Sequence, residues 1–246
     1  MIRILVSFVF AISSVSCQSQ QDENRIVLVN VGTLDRGEIA KVIEVIISNE
    51  PKVLAIDLFF SKDTENSKDV LLLSALEKVK CLVMITTIEE FDGKKKEYPR
   101  FGLGSRPEYL FGATTGYANT ILDDIGKLVL RRFTTFEMVG GALEYHFSVA
   151  TAMAYDSLTA HRFVKNHPRT VNVYFKKRSF LVLSSSDVLS GKISRTDIAG
   201  KIVMIGYLGP GDDDKFFSPL NAEMKSPDMY GLEFLAHIVS QILDSR

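Results

Sequence analysis

The chain has 246 residues, of which 46% are hydrophobic and 24% charged, and its 29 basic and 30 acidic residues give a formal net charge of −1. A chain of this length can bury a sizeable core, and its composition is that of an ordinary globular domain. The near-zero net charge argues against a general nucleic-acid binder, which would carry a strongly basic surface.

The first 17 residues differ from the rest of the chain. One cation, Arg3, precedes a short apolar stretch at residues 4–12, which is shorter than the about 20 apolar residues of a membrane-spanning helix. Small residues follow, in the order of an export signal and its cleavage site. The segment SVSC that ends at Cys17 resembles a bacterial lipobox, in which the Cys becomes the lipidated first residue, although Ser14 replaces the usual leucine.

The residues after Cys17, QSQQDENR, are polar and show no hydrophobic periodicity, which is typical of a tether. We therefore predict a signal peptide over residues 1–16, a tether over 17–25 and a globular domain over 26–246. The domain would be exported and held at the cell envelope, in the periplasm or on the cell surface, by a lipid on Cys17. A plain secretory signal with an incidental Cys is the alternative.

From residue 26 onward, apolar runs alternate with amphipathic segments. The runs at 26–32, 52–60 and 81–87 predict strands that are covered on both faces. Amphipathic segments predict a helix after the capping-box sequence Asp35–Glu38 and a second helix over Asp69–Lys80. This strand–helix–strand–helix–strand order is the Rossmann-like start of a parallel α/β sheet.

The remaining segments are less regular. Residues 92–107 contain DGKKK and two prolines and are predicted to form a surface excursion. Residues 116–121 and 127–133 are predicted to form an antiparallel hairpin around a turn at 122–126. The expected fold is a single α/β domain with a largely parallel central sheet, helices on both faces and this hairpin as an insertion. Its later elements are a helix over Tyr145–Leu158, strands over 169–175, 179–185 and 201–207, a short helix over Ser186–Leu189 and a closing helix over Tyr230–Leu243.

Six segments, in order, resemble the CHASE2 domain, an extracytoplasmic sensor module of bacterial signalling proteins. KVLAIDLFF resembles a segment with an Asp among apolar residues, and GYANTILDDIGKLVLRRF resembles a stretch with an Asn, an acidic turn and two arginines. VNVYF, AGKIVMIGY, DKFFSP and YGLEFLAH match the other four. The sequence departs from the family at Ala55, where Gly is usual, and in the order of Ala236 and His237.

The resemblance implies a sensory or ligand-recognition domain that is not an enzyme and needs no cofactor. CHASE2 domains usually precede three membrane helices and an output domain, and neither follows in this sequence up to Arg246. The resemblance therefore implies a free-standing sensor that relays to a membrane signalling protein or an envelope protein. A truncated longer sensor is the alternative.

Polar residues at or near the ends of predicted strands are the candidate ligand-binding residues. An unpaired carboxylate inside the apolar strand of Asp57 would cost several kcal/mol to bury, so Asp57 either faces a crevice or pairs with Arg131 or Arg132. Asn30 lies near the carboxyl end of the first strand, the edge at which open α/β sheets bind ligands. Each candidate also has a structural alternative, such as an ion pair or backbone hydrogen bonding. The predicted set is Asn30, Asp57, Asn119, Arg131 and Asp214.

The run Asp212–Asp214 consists of carboxylates, the ligands that hard cations prefer. It lacks the spacing of a calcium-binding loop, and three adjacent side chains cannot easily converge on one ion. We therefore expect no metal, with Asp214 accepting hydrogen bonds from local backbone and with Asp212 and Asp213 solvated. The sequence also lacks a nucleophile elbow, a Walker A loop and an HExxH motif, and no catalytic residue is predicted.

These observations favour a small molecule or peptide that binds at the carboxyl ends of the central strands. Binding would shift the domain between two arrangements that a partner protein detects. One alternative is a non-catalytic lipoprotein that scaffolds an envelope complex. A metal-dependent hydrolase that uses the Asp loop is a further alternative.

Overall fold

The computed structural model describes residues 25–62, 66–122, 129–175, 179–209, 211, 214–221 and 225–245. The predicted signal peptide, Cys17 and all of the predicted tether except Arg25 lie outside the described residues. The strands are β1 (Ile26–Asn30), β2 (Val53–Ile56), β3 (Leu82–Glu89), β4 (Arg100–Gly104), β5 (Thr114–Tyr117), β6 (Ile121–Leu122), β7 (Leu130–Thr134), β8 (Phe136–Val139), β9 (Ala142–Tyr145), β10 (Thr170–Asn172), β11 (Leu181–Ser184), β12 (Ile202–Gly206), β13 (Lys215–Phe216) and β14 (Met229–Tyr230). The helices are α1 (Arg36–Ser48), α2 (Asn66–Glu77), α3 (Pro107–Leu110), α4 (Phe147–Tyr155), α5 (Ser157–Asn166), α6 (Ser185–Leu189), α7 (Arg195–Ile198) and α8 (Gly231–Asp244).

The central sheet has the strand order β11-β1-β12-β2-β3, and every neighbouring pair along it is parallel. Strand β3 also pairs in parallel with β5 and antiparallel with β4. This arrangement confirms the predicted α/β fold with a largely parallel sheet. Because the strands are parallel, their carboxyl ends meet at one edge, which we call the carboxyl edge.

Two hydrophobic cores lie on opposite faces of this sheet. In β1, Val27 and Val29 pack into the core that holds α1 and α2, whereas Ile26 and Leu28 pack into the core that holds α4, α5 and α8. Strands β2 and β12 alternate in the same way, as expected for side chains that point to opposite faces in turn. Helices therefore cover both faces, which explains why the central strands are apolar throughout.

The predicted capping box at the start of α1 is confirmed. The Glu38 backbone N–H donates to Asp35 Oδ1 at 3.0 Å, and the Asp35 backbone N–H donates to Glu38 Oε2 at 3.0 Å. These bonds satisfy two backbone donors at the helix end. Helix α8 begins with a similar contact, since the Tyr230 N–H donates to Glu233 Oε2 at 2.9 Å.

The structure differs from the predictions in the middle of the chain. The predicted helix over Tyr145–Leu158 is interrupted at Asp156, whose carboxylate accepts from the Thr159 N–H at 3.1 Å and so begins α5 as a separate helix. The predicted strand at 116–121 is divided, since its first residues belong to β5 in the central sheet. Its end forms β6, which pairs antiparallel with β7 in a second sheet of order β10-β7-β6. The hairpin is therefore confirmed, although its predicted turn lies mostly outside the described residues.

Candidate functional site

Three polar or small residues end adjacent strands at the carboxyl edge. In the register of the sheet, Asn30 of β1 lies opposite Gly206 of β12, and Ile205 lies opposite Ile56, which precedes Asp57. All three continue the alternation that faces α8 in their strands. The fold therefore brings Asn30 and Asp57, distant in sequence, to one rim under the first turn of α8.

Asn30 joins two loops of this rim. Its Oδ1 accepts hydrogen bonds from the Gly32 N–H at 2.9 Å and from the Leu208 N–H at 3.0 Å. Leu208 lies in the loop that follows β12, so the Asn30 side chain fixes the start of that loop against the loop that follows β1.

Gly206 allows α8 to approach the sheet closely. A Cβ atom at this position would lie 3.1 Å and 3.2 Å from the two methyl carbons of Leu232 and 3.4 Å from the Asp57 Cβ. A side chain at this position would therefore require the Leu232 side chain to shift by a few tenths of an ångström.

The loop after β12 returns to the amino end of α8 and carries Asp214 there. The Gly231 N–H donates to the Asp214 carbonyl oxygen at 3.1 Å, next to the antiparallel pair of β13 and β14. The Tyr230 hydroxyl donates to the Gly211 carbonyl at 3.2 Å and holds the loop from its other end. Asp212 and Asp213 lie outside the described residues, so their predicted solvation stays a prediction.

A cavity of about 350 Å³ lies between the carboxyl edge and α8, and we call it the Asp57 cavity. Asp57 lines it at the end of β2 in the sheet, and Asp214 lines it in the loop after β12. The Asp57 carboxyl group accepts no hydrogen bond from any residue that the structure describes. The other lining residues are mostly apolar or aromatic: Leu58, Phe59, Ile85, Thr87, Ala118, Thr120, Tyr207, Phe216, Gly231, Phe234 and Leu235.

Both carboxyl groups of the cavity bind protons more tightly than aspartates in water. Burial raises the pKa of Asp57 to about 7, and the negative charge of Asp214 contributes to this rise. Burial also raises the pKa of Asp214, while a hydrogen bond from the Gly231 backbone opposes this effect. Two neighbouring carboxyl groups in a poorly hydrated site disfavour double ionisation, so the pair holds a proton close to neutral pH.

A family model of the CHASE2 domain matches residues 12–246. The chain belongs to the CHASE2 domain family. This confirms the resemblance that the six segments carry, and CHASE2 domains are extracytoplasmic sensory domains without catalytic activity. No curated protein and no solved structure matches the chain.

Three of the five predicted ligand-binding residues of this CHASE2 domain, Asn30, Asn119 and Arg131, lie outside the cavity lining. The Asn119 side chain bonds to the backbone of Ile88 twice: its Oδ1 accepts from the N–H at 2.8 Å and its Nδ2 donates to the carbonyl at 2.8 Å. Its neighbours Ala118 and Thr120 do line the cavity. Arg131 is exposed on β7 in the second sheet. Within the described part of the chain, no ion pair joins Asp57 to Arg131 or Arg132.

The aromatic wall of the cavity was not predicted from the sequence. Phe216 and Phe234 fall within DKFFSP and YGLEFLAH, two of the segments that carry the resemblance to CHASE2, and this was the one signal that could have identified them. Their position depends on where α8 crosses the sheet.

The described residues form neither a metal centre nor a membrane-spanning helix. No group of three or more His, Cys, Asp or Glu residues there is arranged to hold a metal ion. No helix in the same part of the chain has the length and apolar character needed to cross a bilayer.

Proposed function

We propose that this CHASE2 domain recognises a small molecule or peptide in the Asp57 cavity and passes its ligand state to a partner protein. The observation that carries the proposal is the Asp57 carboxyl group, which is desolvated in the cavity and has no hydrogen-bond donor among the described residues. Such a group costs folding free energy unless a ligand satisfies it. A volume of about 350 Å³ is within the range of small-molecule pockets.

The position of the cavity supports a way to signal. Asp57 is hydrogen-bonded to the central sheet through its backbone N–H, whereas Asp214 belongs to the loop that contacts the first residue of α8. A ligand that touches both carboxyl groups would stabilise one position of this loop relative to the sheet. Ligand binding would then shift the population of two loop arrangements, and a partner would contact the loop or α8.

Export and lipid anchoring are part of the proposal. The signal pattern of residues 1–16, the lipobox-like Cys17 and the polar tether at 17–25 support an envelope location for a domain of an extracytoplasmic family. Mass spectrometry of the mature protein tests this part. We expect a chain that begins at Cys17 and carries lipid there. A mature chain that retains Met1, or a Cys17 without lipid, would contradict it.

Ligand recognition in the cavity is tested by blocking it. We expect thermal-shift screening with small cationic, neutral and anionic compounds to find ligands that stabilise the wild-type protein. The same ligands should fail to stabilise Ala118→Trp, in which an indole fills the cavity. The matched control is Ala142→Trp, which places the same side chain at an exposed position of β9.

Two results would contradict recognition in the cavity. One is a set of ligands whose effect is the same in wild type and Ala118→Trp. The other is the absence of any stabilising compound from all three charge classes. Circular dichroism checks the fold of Ala118→Trp, and Thr120→Phe fills the cavity from a neighbouring position should the first variant not fold.

A further inference from the structure

The charges that face the Asp57 cavity are all of one sign. Asp57 and Asp214 are its two acidic residues, and none of the other described lining residues is Lys, Arg or His. The remaining polar groups are hydroxyls of Thr87, Thr120 and Tyr207. The cavity therefore presents two acidic side chains and three hydroxyls, and no cationic side chain from the described residues, to any molecule inside it.

Ionisation of either carboxyl group in the empty cavity is less favourable than in water. Burial is the larger cause for each, and repulsion between the two adds to the cost for Asp57. A cation between them would offset both effects, since it replaces lost water and attracts each carboxylate. An anion would increase the repulsion, and a neutral molecule would leave the charges unbalanced.

The cavity walls distinguish an organic cation from a metal ion. Calcium takes six to eight oxygen ligands and magnesium about six, mostly carboxylates, carbonyls and waters. The cavity offers two carboxyl groups among aromatic and aliphatic side chains, including Phe59, Phe216 and Phe234. Aromatic rings attract ammonium groups through their faces and also bury the apolar part of an amine.

We propose that the Asp57 cavity selects a small organic cation, namely a primary amine with an apolar or aromatic body. The ammonium group lies between Asp57 and Asp214, and the apolar body packs on the phenylalanine rings. This assignment rests on the proposed function, because it names the ligand class for the same cavity. The assignment also explains how binding is passed on, because the amine joins the sheet to the loop after β12, which contacts the first residue of α8.

A matched series of three probes tests the ligand class. Benzylamine, benzyl alcohol and benzoate have the same ring but carry a positive, a neutral and a negative group. By isothermal titration calorimetry, we expect benzylamine to bind the wild-type protein at least tenfold more tightly than the other two. Asp57→Asn should weaken benzylamine binding at least tenfold. Glu77→Gln, the same chemical change at an exposed position of α2, should leave it unchanged.

The wild-type protein alone provides a second measurement. The titratable groups that face the cavity, among the described residues, are Asp57 and Asp214 with the Tyr207 hydroxyl. The pKa of Asp57 is about 7, so this group is mostly ionised at pH 8 and mostly protonated at pH 6. Benzylamine keeps its charge over this range, and we therefore expect its affinity to be about tenfold weaker at pH 6. This result needs no variant and stands if Asp57→Asn does not fold.

Every other outcome contradicts either the amine assignment alone or ligand recognition in the cavity as well. If benzyl alcohol or benzoate binds at least as tightly as benzylamine, and Ala118→Trp abolishes that binding, the cavity recognises another ligand class and only the amine assignment fails. Calcium or magnesium that binds and displaces benzylamine also overturns the amine assignment. If no probe and no screened compound is sensitive to Ala118→Trp, recognition in the cavity fails as well. Affinity for benzylamine that is equal at pH 6 and pH 8 excludes ionised Asp57 as its partner.

Discussion

Arg36, which is buried, and Asp57, which is half-buried, lie near the carboxyl edge on opposite faces of the sheet, and their hydrogen bonding differs. Arg36, at the start of α1, is 8% exposed and donates to Asp69 Oδ1 at 2.5 Å and to the Tyr109 hydroxyl at 3.1 Å. It also donates to the Lys62 carbonyl, and its guanidinium lies 5.2 Å from the centre of the Tyr109 ring. Asp57 has no comparable partner among the described residues.

The difference separates a charge with structural partners from a carboxyl group that has none among the described residues. A buried ion that is paired and hydrogen-bonded can be nearly neutral in stability, although the loss of one partner is costly. A buried carboxyl group without a donor lowers stability in the unliganded protein, and such groups are concentrated at functional sites. Arg36 therefore holds α1, α2 and α3 together, whereas Asp57, in the function that we propose, binds a ligand.

The largest effect on stability is expected from removing Asp69, the carboxylate partner of Arg36. Asp69→Ala leaves the Arg36 guanidinium without its buried carboxylate, and we expect the free energy of unfolding to fall by about 3–5 kcal/mol. Urea denaturation followed by circular dichroism measures this change. Lys68→Ala is the control, because Lys68 and Asp35 form an exposed pair at 3.4 Å that contributes less than about 1 kcal/mol. Equal effects of the two variants would show that the Arg36 centre is not a special structural element.

At Asp57 we expect a gain in the free energy of unfolding instead of a loss. Asp57→Asn removes an ionised carboxyl group that burial penalises, so the variant should be more stable than wild type at pH 8, by about 1–3 kcal/mol. The pKa of Asp57 is about 7 in the folded state and about 3.9 in the unfolded state. The free energy of unfolding of wild type therefore falls as the pH rises from about 4 to 7, because the unfolded chain ionises more readily. The gain of the variant should accordingly shrink towards pH 4.

Urea denaturation of wild type and Asp57→Asn at pH 4, 6 and 8 measures this pH dependence. Glu77→Gln, an exposed carboxyl group changed in the same way, should change stability by less than about 0.5 kcal/mol at each pH. A loss of stability in Asp57→Asn at pH 8 would mean that Asp57 has a structural partner, and the contrast with Arg36 would then disappear.

A smaller effect is expected at Asn30, whose side-chain oxygen accepts two backbone hydrogen bonds. Asn30→Ala leaves the N–H groups of Gly32 and Leu208 without their acceptor, at a cost of about 1–2 kcal/mol. Hydrogen exchange should show faster exchange of the Leu208 N–H, because the loop after β12 loses its anchor. Asn49→Ala is the control, since the Asn49 side chain donates to the Val45 carbonyl at the end of α1. Unchanged exchange at Leu208 would show that Asn30 does not position this loop.

Much of the central sheet could be predicted because strands that are buried on both faces appear in the sequence as continuous apolar runs. The apolar runs that contain β1, β2, β3 and β12 stand out against amphipathic segments that become α1, α2 and α8. The break at Asp156 could not be predicted, since apolar spacing continues across it and the side chain acts as a cap only once the chain has turned. Strands β4, β8 and β9 were missed because short strands depend on their pairing partners.

Sheet topology predicted part of the candidate site, since Asp57 and Asp214 line the cavity whereas Asn30, Asn119 and Arg131 do not. Parallel strands bring their carboxyl ends to one edge, and this rule was sufficient to expect Asn30, Asp57 and Asp214 near each other. The rule gives no distance between α8 and the sheet. The contribution of Phe234 and Leu235 therefore needed the structure, as did the small residue at Gly206 that permits the close approach.

The smallest effect separates the two causes that act on Asp57. Asp214→Asn removes the neighbouring charge but leaves the cavity and its apolar walls in place. The pKa of Asp57 should therefore fall but stay well above the ordinary value of an aspartate, because burial is the larger cause. Titration of the Asp57 carboxyl carbon by ¹³C NMR follows this pKa, and Asp57→Asn identifies the signal. If the pKa returns to the ordinary value, Asp57 is well hydrated and charge repulsion alone explains its behaviour. Arg36 and Asp57 would then differ only in the sign of their neighbour's charge. Desolvation of Asp57 would no longer support the cavity as a binding site.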